Sequence, residues 1–387
     1  MNLAALSMLF GMLMTATDVI VPRGGGQPLR GNIVRLDEDG VRLRVRGSDE
    51  ADIRDLMLSW DRIADVRVGG PSQPRLPELM ERARRLFHAR VRMERGDFAN
   101  AEPTFELEFP GVVGRDSETT LVIADGLLRC RLDRGVLSGA IEPALEYARL
   151  RRAGVTAIGD GNCMPPTTVE AGARGIIPMW DERYGLLPYL PPVWLQGPSF
   201  EGAISQLADR SPTQDVELDI IADLYHRSML LEQGRVVDAV DPDAEGILGR
   251  PGPSLMAHMV NAMHPDSDVR KAARRQLERR APGEPAWVET WSRFQLGRSY
   301  LLEPGAGQRR KGMLQFVHLI TESSGAHPYL VGMAMAIMAD EFESQGEHAA
   351  AARLRADLER DVPGHPVLRT PLTPADATSS SGGKENP

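Results

Sequence analysis

The sequence predicts an α+β fold that is mainly α, with a small N-terminal β barrel followed by antiparallel helical hairpins. Three observations favour this class. Apolar and polar residues alternate near the N-terminus with the period of a β-strand, apolar residues recur with the helical period from Leu76 onward, and a stretch dense in proline, glycine and aromatic residues separates two helical blocks. With 387 residues, the chain can bury a full hydrophobic core.

These patterns divide the chain into consecutive segments, whose limits follow from the changes in period and composition. They are a candidate signal peptide (1–17), a small β barrel (18–70), repeat-like helical hairpins (76–154), an ordered excursion rich in Pro, Gly and aromatic residues (155–210), further repeat-like helical hairpins (211–368) and a disordered tail (369–387).

The N-terminus carries an apolar run from Leu3 to about Thr15. This run is shorter than the roughly 20 residues that a membrane-spanning helix needs, and it is typical of the apolar region of a signal peptide. No Lys or Arg precedes it, so a buried first helix is the alternative. The sequence favours an exported or periplasmic protein over a cytoplasmic one and predicts no membrane span.

The clearest predicted strand lies in the N-terminal segment, where Val41, Leu43 and Val45 alternate with three arginines. Successive side chains of a strand point to opposite faces, so the aliphatic residues share one face and the arginines the other. The acidic residues and glycine of 37–40 are typical of a turn that joins this strand to the preceding one. Two short strands are expected on either side of Asp61.

The order of these features resembles the Sm-like and SH3-like small barrels. It includes Gly31 inside a bending strand, the acidic turn, the Val/Leu strand and the closing sequence WDRIADVRV, over about an eighth of the chain. Because Sm-like proteins bind RNA in rings, the resemblance leaves nucleic-acid binding through this barrel as an alternative function. The net charge of −9 argues against it, and no nucleic-acid partner is expected.

Helical hairpins are predicted where a glycine interrupts the helical period and a small residue follows five positions later. Glycine ends helices because it adopts the left-handed backbone conformation easily. The three cases pair Gly96 with Ala101, Gly135 with Ala140, and Gly346 with Ala351.

This pattern resembles the tetratricopeptide repeat, in which small residues let paired helices approach closely. Leu296, Gly297 and Tyr300 match the Leu-Gly-x-x-Tyr core of the first helix of that repeat. The spacing of 39 residues between the first two turn glycines departs from the 34 of the family. The resemblance implies a degenerate array of helical hairpins whose surface binds other proteins.

The excursion at 155–210 carries the candidate partner-binding residues Trp180, Tyr184, Tyr189 and Trp194. A long connection that is this aromatic is not typical of a disordered linker, so we expect it to be ordered and packed on the helices. Trp and Tyr are also enriched at protein interfaces. These residues are therefore both expected packing groups and the candidate contacts to a partner.

The same excursion begins with Asp160-Gly161-Asn162-Cys163, which resembles the cysteine loop of ovarian-tumour-type deubiquitinating proteases. In that family a helix begins at the cysteine, and a distant histidine acts as the base. Here Pro165 and Pro166 oppose such a helix, and no histidine has a recognisable protease context. His318, in the apolar LQFVHLI, is expected in the core. A hydrolase using Cys163 is an alternative, and pairing of Cys163 with Cys130 stays open.

The sequence therefore predicts a non-enzymatic scaffold or adaptor that presents a helical repeat surface to a protein or peptide partner. No catalytic residue is assigned. No metal site and no cofactor are predicted. The two cysteines and eight histidines show no spacing typical of metal ligands, and the glycine-rich stretch at 24–26 lacks the Lys-Ser/Thr of a phosphate loop.

Overall fold

The computed structural model describes residues 17–46, 53–69, 73–156, 180–279, 283–323 and 327–370. An antiparallel sheet comes first and helices follow, which confirms the α+β class with helix predominating. The described residues form two compact units: the first extends to Cys130 and includes residues 150–156, and the second comprises Arg131–Arg149 and residues 180–370. The predicted signal peptide, Cys163 and the residues beyond 370 lie outside the described residues.

The sheet of the first unit has five antiparallel strands in the order β4-β3-β2-β1-β5. Ile20, Val41, Leu43 and Ile63 are buried on one face, whereas the arginines of β3 that the structure describes are exposed on the other. This confirms the predicted alternation and the turn at 37–40. The strands are β1 (Asp18–Pro22), β2 (Leu29–Asp37), β3 (Gly40–Arg46), β4 (Ile53–Leu58) and β5 (Ile63–Arg67).

Strand β2 changes partner along its length, pairing first with β1 and then with β3. Gly31 lies at the change, and a Cβ atom there would lie 2.3 Å from the carbonyl oxygen of Arg44, so only glycine fits. Strands β4 and β5 are the two edges of this sheet, and no pairing joins them in the described part of the chain. Closure into a barrel therefore stays a prediction.

Trp60 fastens the sheet to the helices within the first unit. It lies in a short 3₁₀ turn, Trp60–Arg62, and is fully buried, and its indole Nε1 donates to the carbonyl of Asp37 at 2.7 Å. The hydroxyl of Thr119 donates to the carbonyl of Asp39 at 2.8 Å. Side chains thus satisfy the carbonyls of the β2–β3 turn, which holds this turn against helix α3.

The first four helices are α1 (Leu76–Glu94), α2 (Phe98–Glu108), α3 (Glu118–Asp133) and α4 (Leu137–Arg152). Helices α1 and α2 form the predicted hairpin around Gly96, and Gly135 lies between α3 and α4. Both glycines have positive φ, 78° and 68°, and the amide that follows each donates to the carbonyl five residues earlier. This is the Schellman arrangement that glycine favours at a helix end. Ala101 and Ala140 are fully buried, as close helix packing requires.

The second unit continues with helices that pack in chain order, each contacting the next. The hairpin at Gly346 has the same Schellman arrangement, with φ of 79°, and Ala351 is fully buried. Whether these hairpins are tetratricopeptide repeats stays a prediction. The helices are α5 (Pro198–Ala208), α6 (Val216–Glu232), α7 (Pro251–Asn261), α8 (Ser267–Glu278), α9 (Ala286–Leu301), α10 (Ala306–Ser323), α11 (Pro328–Ser344) and α12 (His348–Asp361).

Among the described residues, no helix combines the length and the apolar character that crossing a membrane requires.

Gly297 sets the distance between α9 and α10. A Cβ atom at this position would lie 2.5 Å from the ring of Phe316, which is fully buried and cannot move aside. We expect Gly297→Ala to destabilise the protein by about 1–3 kcal/mol through overpacking.

The matched control is Gly202→Ala in α5, where no atom lies within 4 Å of the added Cβ. This change should be neutral or stabilise by up to about 1 kcal/mol, since alanine is the better helix former. Urea unfolding followed by tryptophan fluorescence measures both. Equal effects of the two substitutions would contradict the assigned contact.

Candidate functional site

The four aromatic residues predicted to contact a partner lie in the second unit, in the irregular segment 180–196 that precedes α5. Tyr184, Tyr189 and Trp194 are buried, and Trp180 is half-buried. Burial raises the pKa of Tyr184 and of Tyr189. Residues 180–196 pack on the helices, as expected for this part of the excursion predicted at 155–210. Residues 157–179 lie outside the described residues, and Pro198–Ala208 form helix α5.

The segment is held through its backbone, because its prolines prevent it from joining a helix or a sheet. Buried carbonyl groups need hydrogen-bond donors, and side chains of the surrounding helices supply them. The acceptors are the carbonyl oxygens of Pro188, Leu190 and Val193. The donors are Trp291 Nε1 at 2.9 Å and His327 Nε2 at 3.1 Å to Pro188, Tyr225 OH at 2.8 Å to Leu190, and Tyr329 OH at 3.2 Å to Val193.

The aromatic rings of the segment pack against rings of the helices. Tyr184 meets Trp287 edge to face with centroids 5.1 Å apart, and Trp194 meets Tyr225 in the same way at 5.8 Å. Trp194 also donates to the hydroxyl of Ser228 at 2.9 Å. These contacts give Tyr184 and Trp194 a structural role. A role as partner contacts stays a prediction, and of the four only Trp180 has a partly open side chain.

A groove lies where α8, α9 and α10 meet, with a cavity volume of about 320 Å³. Its floor is formed by three buried residues, Leu277, Ser292 and Leu296, and its rim by more exposed ones. We call it the α8–α10 groove. The residues that complete its lining are Glu278, Arg293, Gln315, His318 and Glu322.

Charge in the groove is organised around Arg293. Its guanidinium lies between two carboxylates, Glu289 at 2.5 Å and Glu322 at 2.8 Å, so its positive charge is neutralised within the protein. The imidazole of His318 approaches the same Glu322 at 3.5 Å. Glu278 on the opposite wall accepts a hydrogen bond from the hydroxyl of Tyr300. The rim therefore carries a surplus of carboxylates.

Two polar side chains of the groove have no hydrogen-bond partner among the described residues. They are the hydroxyl of Ser292 on the floor and the amide of Gln315 on the wall. An amide side chain offers both a donor and an acceptor, which are the two groups that a peptide backbone presents. The groove thus combines an apolar floor with unused groups that can pair with an extended chain.

Five histidines of the second unit have identified contacts within the protein. His264, His327 and His365 contact backbone groups, whereas His318 and His348 contact glutamates. In the described residues we find no group of three His, Cys, Asp or Glu side chains placed to hold a metal ion. Cys163 lies outside the described residues, so the hydrolase alternative stays a hypothesis.

The sequence did not identify the α8–α10 groove, because its residues come from three helices whose packing a single sequence does not encode visibly. His318 was expected in the core, which is wrong: its side chain is 47 % exposed. The buried positions of α10 are Gly312, Phe316 and Leu319, and His318 lies on a different face of the helix. The available signal was the spacing of Gln315, His318 and Glu322, which places them on one side of a helix.

No protein-family model matches the chain, and comparisons with curated proteins and with solved structures found no significant similarity.

His327, which donates to the aromatic segment, makes the stability of the protein depend on pH. Full burial lowers its pKa from the ordinary 6.5 to about 4, and its Nδ1 has no hydrogen-bond partner. The unfolded chain takes up a proton below pH 6.5, but the folded protein does so only near pH 4. Stability should therefore fall between pH 6.5 and pH 4, by up to about 3 kcal/mol from this residue.

We expect His327→Gln to lose less stability over this pH range than the unmodified protein, since glutamine can still donate to Pro188 but does not titrate. His348→Gln, at an exposed position of α12, is the control. Free energies of unfolding in urea at a series of pH values measure the slope. If both variants keep the slope of the unmodified protein, His327 is not the group that titrates.

Proposed function

We propose that this protein is a non-enzymatic interaction module whose second unit binds an extended segment of another protein in the α8–α10 groove. The observation that carries the proposal is the pair of unused polar side chains, Ser292 on the floor and Gln315 on the wall, beside the apolar floor residues Leu277 and Leu296. A site that binds an extended peptide needs both features, because the backbone must be hydrogen-bonded while one or two side chains are buried.

The size of the groove supports a peptide more than a folded domain. A cavity of about 320 Å³ accommodates a few residues and falls at the small end of the range for ligand sites. Beside it, Leu314 and Val317 are exposed on α10, with 52 % and 40 % of their surface accessible. These two side chains extend the apolar surface beyond the rim, so a bound segment could continue across α10.

The charged residues that line the α8–α10 groove indicate the composition of the bound peptide. Arg293 is neutralised by two glutamates, and Glu278 adds a further carboxylate to the lining. A segment carrying an aliphatic residue and at least one Lys or Arg matches this surface, because opposite charges at a rim favour the correct partner and its orientation.

Selection of random short peptides against the full chain tests the proposal. We expect enrichment of sequences that combine aliphatic and basic residues. Gln315→Trp should weaken their binding roughly tenfold or more in fluorescence anisotropy, because an indole fills the cavity and removes the amide.

The matched control is Gln276→Trp, which places the same side chain on an exposed position of α8 outside the lining. It should leave the affinity unchanged within about twofold. Peptides that bind both variants equally well, or a selection that enriches no common sequence, would count against the groove as the binding site.

A further inference from the structure

Three arginines converge in the first unit at the junction of β1 and α1. Arg23 directly follows β1, and Arg84 and Arg90 lie on α1. The guanidinium carbon of Arg23 lies 4.2 Å from the ring centroid of Phe87, and that of Arg90 lies 6.0 Å from the same centroid. Phe87 therefore holds two guanidinium groups close to each other, through the attraction of a cation for an aromatic face.

Arg23 differs from its two neighbours in its ionic partners. Arg84 pairs with Glu81, and Arg90 pairs with Asp61 and Glu94. In the described part of the chain no carboxylate lies within ion-pair distance of Arg23, whose backbone amide donates to Arg62 and whose side chain stacks on Phe87. Glu81 and Glu94 are about half exposed, so they neutralise their arginines only weakly.

Buried polar atoms near this cluster lack protein partners. They are Arg23 Nε, Ser59 Oγ and one carboxylate oxygen of Asp61, whereas Arg90 Nε lies 3.3 Å from a carboxylate oxygen of Glu94. Ser59 and Asp61 are almost completely buried. Buried donors without a partner are rare in folded proteins and indicate a water or a ligand that completes the site.

The electrostatic field at Arg23 is positive. Burial lowers the pKa of this guanidinium, and the charges of Arg84 and Arg90 lower it further, whereas Asp61 opposes them. The two arginines act in the same direction, and only one carboxylate counters them at this position. An added anion would therefore be attracted to the site.

We propose that Arg23, Arg84 and Arg90 form a binding site for a phosphate group, such as that of a phosphate monoester. The guanidinium of Arg23 stacks on Phe87 and has no carboxylate partner among the described residues, and a guanidinium can pair with two oxygens of a phosphate. A phosphate monoester carries close to two negative charges and three acceptor oxygens, so it suits a group of arginines better than a single carboxylate does. The site lies in the first unit and does not depend on the peptide groove.

The buried Nε atoms allow phosphate binding to be followed directly by NMR. Protons on buried nitrogens exchange slowly with water, so the Nε–H signals of Arg23 and Arg90 should be visible by NMR in the full chain labelled with ¹⁵N-arginine. Inorganic phosphate should shift both signals in a saturable way, with a Kd on the order of 1 mM at low salt. Acetate at the same concentrations should produce no saturable shift.

Arg23→Gln should weaken phosphate binding roughly tenfold, as measured from the shift of the Arg90 signal. Arg84→Gln lies at an exposed position and should weaken binding several-fold without affecting the fold. Arg42→Gln is the control, since it removes one positive charge from the exposed face of β3 in the same unit. An equal loss in the control, equal binding of acetate, or no saturable shift up to about 50 mM phosphate would each overturn the proposal.

Discussion

Side-chain hydrogen bonds to the backbone of residues 188–193 are the interactions on which the second unit depends. Three prolines in this stretch remove amide donors and prevent regular secondary structure. Its carbonyl groups are nevertheless buried, and a buried carbonyl without a donor costs several kcal/mol. Donors from α6, α9 and the start of α11 satisfy these carbonyl groups. Helices that are distant in sequence therefore pack around one irregular segment.

Close backbone approach is the second constraint on this segment. A Cβ atom at Gly252 in α7 would lie 1.8 Å from the carbonyl oxygen of Tyr184, so the segment passes against the helix backbone itself. A larger residue at position 252 would push the segment away from α7. Glycine is therefore needed here for space, whereas at Gly96, Gly135 and Gly346 it is needed for its backbone conformation.

The sequence was sufficient for features that depend on short stretches of chain. Alternation in β3, the turn at 37–40 and the glycine between the two helices of a hairpin are local patterns with one physical cause each. The α8–α10 groove and the cluster around Arg23 were not predictable in this way. Arg23 and Phe87 are distant in sequence, and they meet where α1 packs against the 3₁₀ turn at 60–62 and strand β5.

Helix α9 connects the aromatic segment to the groove. Trp291 donates to Pro188 on one side of this helix, and the next residue, Ser292, lies on the floor of the groove. Trp287 and Tyr184 pack on the same side as Trp291. The segment holds α9 through Trp291, and Gly297 on the same helix sets its distance from α10, which carries Gln315. In the proposed function, these buried aromatic residues would support peptide binding through α9, the helix that carries part of the groove floor.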